Sequence, residues 1–203
     1  MSLSQGFALH VLINMTLSFL ILIFAQTHMT AEVISFSQPI LETTVLGIPA
    51  IPLITDIFFG ILGLIIILIF HGSGINHIIM RFERKSNKNL EHGQYNRVFI
   101  HFYTSFFFIA LVHIFEILLW SLFLLGLGLM NDAVQALLFA GSCYTTVGFV
   151  ADTLPAGWKS LAFFIAFTGL FSLAWTTSVM IGMTNTYKAA WNLKYGQDDL
   201  SSS

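Results

Sequence analysis

Charge is scarce in this chain. Its 203 residues carry 8 Lys and Arg and 10 Asp and Glu, 9% charged, with a formal net charge of -2. Ordinary soluble domains are about 25% charged. A soluble domain of this size needs a polar shell, because its surface is large relative to its core. So few charges cannot supply one, which excludes a soluble enzyme. The missing basic excess excludes a nucleic-acid partner. The 56% hydrophobic content excludes disorder. Cysteine is nearly absent as well: Cys143 stands alone, which rules out an intrachain disulfide framework and a Cys-based metal site. His28, His71, His77, His92 and His101 show no metal-ligand spacing, and no carboxylate cluster is visible. No catalytic site, cofactor or bound metal is expected.

What is present is long apolar runs, 21 Phe among them. A transmembrane helix needs about 20 mostly apolar residues, and four stretches qualify. The first is residues 7–25, interrupted by His10 and Asn14. The second centres on residues 57–70, all apolar or Gly, and must extend upstream through 48–54 or downstream through 75–80. The third is residues 99–130 and the fourth 161–187. Residues 133–143 are apolar but too short to cross. They suit a re-entrant helix, tolerated where the backbone after it is buried in protein or lines a water-filled pore.

Lys and Arg set the orientation, since loops rich in them stay cytoplasmic. Arg81, Arg84, Lys85, Lys88 and Arg97 lie in the 72–98 loop, and Lys188 and Lys194 in the tail. The 26–49 loop has no basic residue and the 129–160 segment only Lys159. Four spans with both termini and the 72–98 loop cytoplasmic fit this bias. Residues 83–97 read as a solvated connector and 26–49 as an outer loop. A signal peptide over residues 1–25 is the weaker reading, for want of a basic start and a cleavage site. Domain organisation follows: two N-terminal spans over 1–98, a second block over 99–187 and a short tail over 188–203. The fold class is an all-α membrane protein, with a re-entrant helix and loop between the third and fourth spans.

The informative stretch runs from Ala136 through Ser142, Cys143, Tyr144, Thr145, Thr146, Val147, Gly148 and Phe149. It is a short apolar helix followed by Thr-Thr-Val-Gly-Phe, between two spans on the outer side. A pore can replace an ion's hydration shell with rings of backbone carbonyls. That requires an extended strand held by a short helix, whose C-terminal end carries partial negative charge.

In Thr146, Val147 and Gly148 the chain resembles the potassium-channel pore family, whose filter reads Thr-Val-Gly-Tyr-Gly-Asp, with Phe149 a mild change from Tyr. The resemblance covers residues 99–184. His113, Glu116 and Trp120 look like the outer-helix pattern of small bacterial ion-channel proteins. Leu154, Pro155 and Trp158 look like the segment after their filter, and Gly169 with Trp175, Thr176, Thr177 and Ser178 like their inner helix. The resemblance implies a bacterial inner-membrane location, and a filter of residues 145–150. Val150 stands where the filter's last glycine belongs and Ala151 where its aspartate belongs. In the family that glycine has positive φ, where a β-branched residue is an outlier. Asp152, one residue on, either replaces the missing acid or is loop. A weaker likeness is to potassium-uptake transporters, which carry four such loops in one chain against one here.

One loop per chain implies a homotetramer, since a four-fold carbonyl filter needs four copies. The expected function is the pore-forming subunit of a tetrameric channel for K+ or other monovalent cations, passive, in the lipid bilayer. The alternative is a non-conducting, channel-derived scaffold or regulatory subunit. No span carries the repeated arginines of a voltage sensor. The residues after Tyr187 are too few for a ligand-sensing domain.

Several polar residues keep two readings. His113, Glu116 and Trp120 share a helix face, either as a clamp in which Glu116 accepts from His113 or from pore-loop donors, or as structural polar groups. Asp56 caps a helix at the outer interface or attracts cations. Gly169 is a gating hinge or a packing contact. Thr176 and Thr177 line a cavity or bond back to their own helix. His10 and Asn14 bond between helices.

Overall fold

The computed structural model describes residues 44–45, 48–148 and 153–196. The first expected span, with His10 and Asn14, lies outside the described residues, as do Phe149, Val150, Ala151, Asp152 and the tail from residue 197.

Two-residue strands β1 (Thr44–Val45) and β2 (Ile48–Pro49) pair antiparallel, Val45 opposite Ile48. The rest is helical: α1 (Ala50–Glu91), α2 (Tyr95–Gly126), the short α3 (Ala133–Tyr144) and α4 (Ser160–Tyr195). Among the described residues, α1, α2 and α4 are long and apolar enough to cross a membrane, as an integral membrane protein requires.

The basic 72–98 segment is not a loop. α1 continues through it to Glu91, and α2 restarts at Tyr95. Its Arg, Lys and Glu residues are good helix formers, and nothing breaks the helix before Gly93. There Gly93 takes φ 65°, its N–H donates to the Leu90 carbonyl, and Gln94 N–H donates to Asn89. That pair of bonds is a Schellman stop, which needs a left-handed residue and therefore favours Gly. The third span, expected to reach residue 130, stops at Gly126 for the same reason: Gly128 at φ 67° donates to Leu125, and Leu129 donates to Leu124.

The chain divides into two compact units. One comprises residues up to Phe70 with Phe115–Phe171, and the other His71–Ile114 with Ser172–Ser203. In the first, Trp120, Phe139, Tyr144, Leu161 and Ile165 are buried in a single apolar cluster that covers one face of α3 and leaves Val134, Leu137 and Leu138 exposed. Ile54, Phe58, Ile61, Ile65 and Ile69 lie at helical spacing on one face of α1 and are all exposed. An apolar stripe left uncovered along a helix suits lipid or another subunit. In the second unit, Ile75, Phe82, Ile109 and Met183 form a smaller core. Beside it, Phe99, Phe102, Tyr187 and Trp191 stack in a chain of ring contacts at 4.8 to 6.3 Å.

Candidate functional site

The site is built on α3, a helix of 12 residues. Asp132, extended at φ -109° and ψ 123°, starts it by accepting from Gln135 N–H at 2.8 Å. An Asp three residues before a Gln is a capping pattern readable in the sequence, but it was not among the residues singled out above. Ala136, Phe139, Ala140, Ser142, Cys143 and Tyr144 are buried. Burial pushes the Cys143 thiol up, and the Ser142 hydroxyl partly offsets this.

At the other end the chain does not run on as an extended strand. Thr145 N–H and Oγ1 both donate to the Gly141 carbonyl, at 3.0 and 2.7 Å. Thr146 N–H donates to Cys143, and Gly148 N–H reaches back to Ser142 at 3.1 Å. The backbone therefore coils around the helix terminus and satisfies its last carbonyls. Two residues take left-handed geometry: Gly148 at φ 65° and Thr146 at φ 61°, which among the described residues is the one non-glycine with positive φ. A β-branched side chain there costs on the order of 1–3 kcal/mol and persists only where its surroundings hold it. The Val147 side chain is exposed.

Two contacts hold Tyr144, the last residue of α3 before this turn. The Tyr144 hydroxyl donates to Glu116 Oε2 at 2.6 Å, both groups buried. At 2.6 Å this is a short, well-formed hydroxyl–carboxyl bond. Tyr144 lies 28 residues from Glu116, so no local spacing pairs them. Helix α4 passes so close to Tyr144 that a Cβ on Gly169 would overlap its carbonyl oxygen. Helix α4 is continuous through Gly169. Of the two readings of Gly169, the close packing contact is present in this structure. Trp120 is fully buried, with its indole against Gly63, where a Cβ would collide with the ring.

Asp56 does not cap its own helix, because α1 begins six residues earlier, at Ala50. Its Oδ2 instead accepts from the backbone N–H of Ser160 at 2.9 Å and from the Ser160 hydroxyl. It thus caps α4, placing a carboxylate at the positive end of that helix. The segment before Ser160 is anchored by buried Leu154, by a turn from Trp158 N–H to the Pro155 carbonyl, and by Trp158 stacked on Phe59 at 6.1 Å.

The second unit holds a polar cluster of its own residues. Thr176 Oγ1 lies 3.0 Å from His113 Nε2 and 3.4 Å from His71 Nε2, and the two imidazoles are 5.3 Å apart. Thr176 and His71 are buried, and the Trp175 ring stands edge-on to His71. His71 and His113 are donors of the kind a transition metal takes, and 42 positions of sequence hid their approach. Thr177, by contrast, is exposed and bonds back to the Leu173 carbonyl at 2.8 Å.

Of the residues singled out in the sequence, the structure thus brings Thr145, Thr146 and Gly148 into one turn, ties Glu116 and Gly169 to Tyr144 just before it, and joins His113 to Thr176. Tyr144, Asp132, Ser160 and His71 are the additions. No family of known proteins, no curated protein and no solved structure matches this chain.

Proposed function

We propose that the chain is the pore-forming subunit of a cation channel, assembled as a homotetramer around four copies of the 145–150 loop. The observation that carries this reading is the turn after α3. A helix too short to cross a membrane ends in a Thr-Thr-Val-Gly sequence whose Thr146 is held left-handed. Such strain is retained where the surroundings over-determine it, and it concentrates at functional sites. The Tyr144–Glu116 bond and the Gly169 contact fix the residue from which this turn starts.

In this reading, assembly opens the coiled turn into an extended strand, so that α3 points its C-terminal partial negative charge toward the ion path and the loop carbonyls replace water around the ion. Thr146, Val147, Gly148 and Phe149 supply carbonyls, and Asp152 adds negative charge at the mouth. The basic stretch of α1 lies on the cytoplasmic side and the loop on the outer side. Glu116, Trp120 and Gly169 act as supports, and His113 with Thr176 braces the inner helix. Transport is passive. The resemblance of Thr146, Val147 and Gly148 to a potassium filter favours K+, while Val150 and Ala151 favour weaker discrimination.

Purified protein in liposomes, assayed for K+, Na+ and Rb+ flux beside Val150→Gly, tests this. Flux of monovalent cations from a tetramer, with K+ preference raised by Val150→Gly, is the expected result. An intact tetramer that passes no cation would establish the scaffold reading instead.

A further inference from the structure

The second unit contains a cavity that the conduction reading does not use. His77, Arg81 and Lys85 recur every four residues and so share one face of α1. His101 and Ser105, with Thr104 beside them, share a face of α2 by the same spacing. These two faces line a single cavity of about 160 Å³. No carboxylate is among the described residues that line the cavity. Basic groups gathered this way repel one another until an anion enters. A phosphate suits them: it takes two parallel bonds from a guanidinium, a point charge from Lys, and further donors from hydroxyls.

Depth narrows the choice of anion. On α1 the stretch from Ile57 to Met80 has no charged residue, and Arg81 is the first after it. On α2, Arg97 is the last charge before the uncharged stretch from Val98 to Phe115. The cavity therefore lies where both helices pass from apolar to charged, the level a lipid headgroup occupies. Its remaining wall includes Ile78 and exposed Phe108, which offer apolar surface to an acyl chain.

We propose that this cavity binds the phosphate of an anionic phospholipid. It requires the chain to lie in a membrane but not to conduct, and its readout is lipid retention, so it stands or falls apart from the channel reading. Full-length protein, stripped of lipid in mild detergent, is offered equal amounts of dioleoylphosphatidylglycerol and dioleoylphosphatidylcholine, and bound lipid is counted by native mass spectrometry. Phosphatidylglycerol is retained preferentially by the wild type. Arg81→Gln with Lys85→Gln weakens that retention by about fivefold for each basic side chain lost. Arg84→Gln with Lys88→Gln removes the same charge from exposed positions outside the cavity and leaves retention unchanged. Equal loss in the two double variants, or no preference for phosphatidylglycerol in the wild type, would overturn the proposal. So would displacement of the lipid by excess inorganic phosphate, which would assign the cavity to a free anion.

Discussion

Glu116 is buried within a helix long and apolar enough to span, where an ionisable group is rare and has a partner. One of its partners is the Tyr144 hydroxyl. Tyr144→Phe keeps the ring and removes that donor. The expected loss is about 1–3 kcal/mol, the range for removing one partner of a buried hydrogen bond, read as a lower unfolding temperature in detergent. An unchanged unfolding temperature would show that the bond does not hold the turn. Gly169 supplies a second test at this scale. A Cβ there meets the Tyr144 carbonyl, whereas a Cβ on Gly182 meets nothing within 4 Å. Gly169→Ala is therefore destabilising by about 1–3 kcal/mol, as overpacking is. Gly182→Ala stabilises by about 0.5–1 kcal/mol through helix propensity alone. Equal effects of the two, measured by thermal unfolding, would remove the packing role of Gly169. Glu116 and Gly169 were legible in the sequence as unusual residues, one an acid and the other a glycine inside apolar runs. Their shared partner was not, because Tyr144 lies 28 positions from one and 25 from the other.

Among the elements, the long helices were legible and their ends were not. Hydropathy marks where a helix can cross a membrane, but charge does not end one. α1 runs on through Arg81, Arg84, Lys85 and Lys88 until a glycine can turn left-handed at Gly93. Asp56 shows the same limit. Its position suggested a cap, and it is one, but for the helix that starts at Ser160, 104 residues later. For α3, the cap at Asp132 predicts that Asp132→Ala costs about 1 kcal/mol, seen as a fall in unfolding temperature. The turn at its other end predicts the opposite sign. Thr146→Gly relieves the positive φ and raises stability by about 1 kcal/mol or more, again by thermal unfolding. A destabilised Thr146→Gly would mean that the threonine side chain contributes more than its backbone geometry costs.

For the whole molecule, the scarcity of charge points to a membrane protein. Three described helices are suited to crossing, and one short helix is not. Exposed apolar stripes such as Ile54, Phe58, Ile61, Ile65 and Ile69 need lipid or neighbouring subunits to cover them. Under the proposed channel reading, a four-fold arrangement gives the short helix and its turn a purpose that a lone subunit does not, since a ring of carbonyls takes four loops. The decisive measurement is Rb+ uptake into liposomes by the wild type and by Gly148→Ala, each confirmed as a tetramer. Gly148 has φ 65° with open space around it, so an added methyl disturbs the backbone of the loop without crowding the helices. The account predicts uptake by the wild type and its loss in Gly148→Ala. Equal uptake by both, or none by the wild type, would contradict conduction through this loop.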